Sequence, residues 1–233
     1  MQRRRLSPGR PATRSYTSRP VSDLPLALPP DRASILRLAL DQEHKIERAL
    51  DSLGPIAGRD VLVLGGGEDE LARYEAMGAR PRAIEPAGPP WPARDASADA
   101  VLSVWSAFRG GDPAEIAEAD RVLRPEGRLL VVHDYGRDDV SRLRGDLPEH
   151  GDWTRRDGPF LARGFRIRVI HAFWTFPSIE AAAAFLGEAF GARGREVGDG
   201  LKRPRLTHNV AIYHRSRGGT AAPDPEPVVA AAT

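Results

Sequence analysis

The chain has 233 residues, enough for one compact domain with tails, and its 41% hydrophobic and 28% charged residues allow a sizeable core. It has no cysteine, which excludes disulfides, thiol nucleophiles and cysteine-ligated metals. Net charge is only +2, yet residues 1–22 hold six arginines and no acid, leaving the other 211 residues at −4. A mildly acidic body argues against a nucleic-acid-binding core. No apolar run approaches the roughly 20 residues that span a bilayer. No apolar segment follows the basic N-terminus as a secretory signal would require. The expectation is a cytoplasmic protein with no membrane partner.

Residues 1–30 mix Arg, Ser, Pro and Thr without periodicity and read as a disordered basic arm. Arg32–Leu53 reads as one or two helices, with Ile46, Leu50 and Leu53 at helical spacing before Gly54-Pro55. Val61–Leu64 is a short apolar strand that runs into Gly65-Gly66-Gly67. Glu68–Met77 reads as a helix closed by Gly78. Arg82–Ile84 and Ala100–Val104 read as strands. Asp112-Pro113-Ala114-Glu115 opens a helix, with Asp112 as cap and Glu115 at the capping-box position. Leu123–Gly127 reads as a turn and Arg128–His133 as a strand. Arg166–Phe176 reads as extended, Ser178–Phe190 as a helix and His208–Tyr213 as the last strand. Residues 216–233 read as a disordered tail. Apolar strands alternating with helices predict an α/β, doubly wound, mostly parallel sheet covered on both faces.

In such a sheet ligands bind at the carboxyl ends of the strands. Gly65–Gly67 stands there, and Glu85, 18 residues beyond Gly67 at the end of the next strand, suits ribose hydroxyls. A dinucleotide site would want glycine where Glu70 stands, and Glu68, Asp69 and Glu70 would repel a pyrophosphate on that helix end. S-adenosylmethionine carries a sulfonium and an ammonium and no phosphate, so an acidic loop suits it.

Val61–Gly67 resembles the first motif of class I S-adenosylmethionine-dependent methyltransferases, and Ala83-Ile84-Glu85-Pro86 resembles their second-strand motif. Asp95–Ser103 is similar to their DASFDAVLS stretch, and Arg121–Leu130 to their RVLRPGGRL turn and strand. The four motifs stand in the family's order over 59–134. The resemblance implies a Rossmann-like fold of the class I methyltransferase type over 31–215. It implies S-adenosylmethionine as cofactor, held by Gly65, Gly66, Gly67, Glu85, Pro86, Ser103 and Trp105. It also implies methyl transfer to a small-molecule acceptor, with His133 as base, Asp134 orienting it or binding an amine, and Tyr135 lining the pocket.

Three departures bear on this. The family places an acid where Val63 stands and a third glycine where Asp69 stands. It also places a helix, a strand and an adenine-contacting acid where only Ala87–Arg94 is found, so one strand-helix unit is expected to be missing. Trp91 either stacks on adenine or packs locally. The other histidines (44, 150, 171, 208 and 214) have no metal-ligand spacing, so no metal is expected. The alternative function is a non-catalytic methyltransferase-fold module that binds a protein partner.

Overall fold

The run Val61–Leu64 lies in β1 (Asp60–Leu64), which is buried from Val61 onward because both of its faces are covered. In the computed structural model, which describes residues 24–85 and 88–218, six strands form one sheet around it. β2 (Arg80–Ile84) and β3 (Ala98–Val104) flank β1 in parallel, and β4 (Leu123–Asp134) pairs in parallel with β3. β5 (Arg166–Thr175) and β6 (Arg205–Ser216) complete the sheet, with β6 antiparallel to both β4 and β5. The order β2-β1-β3-β4-β6-β5 makes the fold Rossmann-like and doubly wound, with its switch point between β1 and β3. This is the order that the resemblance implies, with no strand beyond β2 among the described residues.

That missing unit leaves β2 as an edge, and the sequence of β2 protects it. The Arg80 N–H donates to the Arg59 carbonyl (2.8 Å) and the Gly65 N–H to the Ile84 carbonyl (2.8 Å), so residues 80, 82 and 84 pair inward. Pro81 then turns its donor-less nitrogen outward, between Arg80 and Arg82. Proline and charge are what keep an exposed edge from recruiting another strand.

Helices cover both faces. On one, α2 (Lys45–Leu53) and α3 (Glu68–Ala76) bring Ile46, Leu50 and Tyr74 onto Val61, Val63, Leu102, Leu130 and Val132. On the other, α4 (Pro113–Val122) lays Ile116, Ala119 and Val122 on Leu62, Leu129 and Val131, beside Trp153 and Phe160. α1 (Pro30–Ala39), α5 (Asp139–Arg144) and α6 (Ile179–Asp199) enclose a third cluster around Trp174, Phe185 and Leu206.

Several expectations change. The Leu123–Gly127 turn is a bulge inside β4, where the register steps from Ala98↔Leu123 to Ala100↔Arg128. Asp112 caps α4, accepting from the Ala114 N–H, but Glu115 accepts instead from the Phe108 N–H (2.6 Å) and forms no capping box. The final helix continues past Phe190, with a break at Gly191. Residues 135–165 carry α5 and three short 3-10 turns that no periodicity announces. Residues 1–23 of the basic arm, Pro86, and residues 219–233 of the tail lie outside the described residues. No helix among the described residues is long and apolar enough to cross a membrane.

Asp138 ties α5 to the sheet. Its buried carboxylate accepts from the Ser141 N–H (2.6 Å) as helix cap and from the Asn209 N–H of β6 (2.7 Å). Asp138→Ala should lower unfolding free energy by about 2–4 kcal/mol, a lost cap plus a lost bond to a charged acceptor. Chemical denaturation measures this, and an unchanged midpoint would show that α5 is held by packing alone.

Candidate functional site

The turn after β1 is shaped by two glycines for different reasons. Gly65 has φ +73, a left-handed conformation that costs a side-chain-bearing residue. Gly66 lies on Val63: a Cβ there would sit 2.5 Å from Val63 Cγ1 and 3.3 Å from Glu70 Oε2. Its lack of a side chain thus serves the fold itself. At Gly67 a Cβ would meet nothing within 4 Å. The acid absent at Val63 has a counterpart from the other side, because Glu70 of α3 is buried beneath the turn and accepts from Tyr74 Oη (3.1 Å). Burial and the adjacent Glu70 carboxylate push the Tyr74 pKa well up.

Glu85 is exposed at the end of β2, beside the glycine turn. Ser103 is fully buried and turned inward, with Oγ accepting from the Ala107 N–H (2.9 Å) and lying 3.0 Å from Ser106 Oγ. Ser106 Oγ donates to the Leu64 carbonyl, so a hydroxyl spans the ends of β1 and β3 at the switch point. Trp91 is packed edge-on against Phe108 (6.1 Å), with its backbone N–H donating to Glu118 (2.6 Å), so it is core.

The three residues at the end of β4 do not converge. Successive strand side chains point to opposite faces. His133 therefore lies with Trp153 (4.9 Å) and Phe160, its Nε2 donating to the Ala107 carbonyl (3.1 Å). Asp134 lies on the other face, so it does not orient His133. Tyr135 is half-buried against the His133 face, with the Arg137 guanidinium 5.7 Å from its ring.

Asp134 instead anchors Trp105. Its Oδ1 accepts from Trp105 Nε1 (2.9 Å) and from His208 Nε2 (3.0 Å), and its Oδ2 pairs with Arg144. His208 Nδ1 accepts in turn from Trp174 Nε1 (3.1 Å), which fixes the neutral tautomer. His208 is 74 residues from Asp134, and no local spacing connects the two. The indole of Trp105, stacked on His208 at 6.0 Å and held at φ +53, is thereby fixed as a wall.

That wall belongs to a cleft of about 370 Å³ between the α1–α2 segment, α3 and the end of β3. Leu24, Leu38, Leu40, Leu50 and Val104 give it an apolar surface. Asp41, Glu47 and Glu70 bring three carboxylates, and Arg37 and Arg73 two guanidiniums. Arg73 Nε pairs with Glu47 (3.1 Å), as does His44 Nδ1 (3.0 Å). None of the three glycines lines this cleft, nor does Glu85, but Glu70 stands between it and the glycine turn.

No protein-family model matches the chain, and no curated protein does. Among solved structures it is similar to a candidate methyltransferase of an antibiotic biosynthesis pathway from Anabaena variabilis (TM-score 0.49, 13% identity, 77% of this chain and 99% of that one). It is also similar to a candidate type II methyltransferase from Anaeromyxobacter dehalogenans (TM-score 0.46, 20% identity, 73% and 94%). A third is the YcgJ protein of Bacillus subtilis (TM-score 0.41, 15% identity, 76% and 99%). The fold assignment rests on the strand order and directions of this chain.

The buried imidazole has a consequence for stability. Burial, assisted by Arg144 and His150 against the opposing Asp138 charge, pushes the His208 pKa down from 6.5 to about 4. Between these values the unfolded chain takes up a proton that the folded chain does not. Stability should therefore fall as pH drops from about 6.5 towards 4, with His150 and His214, also held low by burial, adding to the slope. Urea midpoints measured across that range should decline less steeply in His208→Gln, and an equal decline would place the titration elsewhere.

Proposed function

We propose that this protein binds S-adenosylmethionine at the ends of β1 and β2 and transfers its methyl group to a small molecule. The observation that carries this reading is the switch point. There a left-handed glycine turn ends β1, an exposed Glu85 ends the adjoining β2, and the acidic cleft lies alongside.

The residues present fit the cofactor at two of its parts. Glu85 would accept hydrogen bonds from the ribose hydroxyls, and the open face at Gly67 lets a ligand reach the backbone. Glu70 would face the cationic amino-acid end, where a phosphate would be repelled. The adenine is the exception: Trp91 is committed to the core, and the wall beyond β2 is missing. When bound, the cofactor supplies an electrophilic methyl group on a sulfonium. The protein's part is to hold and orient both ligands, which is what a fixed Trp105 and a closed polar network behind it are suited to. Asp134 is in this reading a positioning residue that acts through Trp105. His133 and Tyr135 act on the opposite face, as packing beneath the loop that carries Ser106. A cleft of this volume suits a small acceptor.

One observation favours a second reading, a cofactor-free binding module with a protein partner. The Ser106 hydroxyl on the Leu64 carbonyl closes the place where the cofactor would cross from β1 to β3. Calorimetric titration of the full chain with S-adenosylmethionine and S-adenosylhomocysteine decides between them. Micromolar binding supports methyl transfer, and no heat up to millimolar ligand overturns it and selects the binding module. Glu85→Ala should weaken the cofactor by about 1–3 kcal/mol, the range for hydrogen bonds to a charged group. Unchanged affinity would remove Glu85 from the ribose site.

A further inference from the structure

We infer that the cleft between the α1–α2 turn, α3 and Trp105 binds a cationic amine carrying an apolar body, and that such an amine is the acceptor: the bound ammonium gives one proton to water, and its freed nitrogen lone pair then forms the N–CH3 bond as the S–CH3 bond breaks and S-adenosylhomocysteine leaves. The second half rests on the methyl-transfer reading, while the first stands without it.

Asp41 lines the cleft, is only 9% exposed and sits at φ +50 in the turn between the two helices. Its Oδ2 accepts from the Ile46 N–H (2.7 Å), which caps α2. Its Oδ1 is fully buried and accepts no hydrogen bond among the described residues. A buried carboxylate oxygen without a donor carries a desolvation penalty that a ligand's N–H would relieve. Burial also pushes the Asp41 pKa up, against the Ile46 and Lys45 backbone N–H groups that stabilise the anion.

The surrounding charges select the sign of that ligand. Arg73 and His44 are already engaged by Glu47, and Glu70 adds a second buried carboxylate to the cleft lining. The lining also includes the fixed indole of Trp105 and the side chains of Leu40 and Leu50, a surface for hydrocarbon or for a cation against an aromatic face. Leu38, 77% exposed at the rim, extends that surface outward. Arg37 also lines the cleft, but beside the buried Asp41 and Glu70 an anion would meet carboxylates, and a neutral donor would leave the Asp41 charge unmatched. An amine with an apolar body meets both requirements. Glu70 joins the cleft to the glycine turn, which puts the amine on the side where the proposed cofactor's amino-acid end would lie.

The test uses the full-length protein and three probes of one shape: 2-phenylethylamine, 2-phenylethanol and 3-phenylpropionate, each titrated by NMR without cofactor. The amine should bind about tenfold or more tightly than the alcohol, the value of one charge-assisted hydrogen bond, and the acid most weakly. Asp41→Asn keeps an acceptor for the Ile46 N–H and should bring the amine to the level of the alcohol, while Asp157→Asn, at an exposed carboxylate outside the cleft lining, leaves amine binding unchanged. Equal affinity for amine and alcohol in the wild-type protein overturns the inference, as does wild-type amine affinity in Asp41→Asn. No binding of the amine at roughly 10 mM overturns it equally. Should Asp41→Asn not fold, the wild-type comparison decides. Cofactor binding without amine selectivity removes the acceptor class and keeps methyl transfer. Amine selectivity without cofactor binding keeps the cleft and removes the acceptor role.

Discussion

The Asp134 carboxylate is the contact on which the candidate site depends. It is buried at the end of β4 and receives an indole N–H from the loop after β3 and an imidazole N–H from β6, with Arg144 of α5 against its other oxygen. A buried carboxylate is costly unless its oxygens are engaged. Satisfying it therefore fixes three elements relative to one another and sets Trp105 as a rigid wall. The same partners explain why His208 is neutral: one ring nitrogen must accept from Trp174 while the other donates to Asp134.

The second constraint is the missing strand-helix unit. Its absence turns β2 into an edge, which Pro81 and two arginines protect, and it removes one side of the space beyond Glu85. The short connection from β2 to β3 puts Trp91 into the core beneath Phe108. Glu85 and the glycine turn remain side by side at the ends of β2 and β1, while no strand stands beyond β2 among the described residues. Ser106 adds a hydrogen bond to the Leu64 carbonyl that joins the ends of β1 and β3.

The acidic character of the site comes from two places. Glu70 enters from α3 beneath the glycine turn, and Asp41 enters from the turn between α1 and α2. Neither is where the family's first motif would put a carboxylate. Together they put two buried carboxylates into a partly apolar cleft that Arg37 and Arg73 also line.

The sequence by itself determined the sheet. Its buried parallel strands are continuous apolar runs, Gly65-Gly66-Gly67 marks the crossover turn, and the short stretch after Glu85 leaves no room for another strand and helix. These are local patterns, set by hydrogen-bond periodicity and chain length. Glu85 and Trp105 were legible as strand-end residues for the same reason. The side chains that shape the site were decided only by tertiary structure. Strand alternation sends His133 and Asp134 to opposite faces, so adjacency in sequence became separation in space. His208 reaches Asp134 from another strand, and Asp41 reaches the cleft from a turn without periodicity. Such meetings are fixed by packing between distant segments, and no spacing along the chain records them.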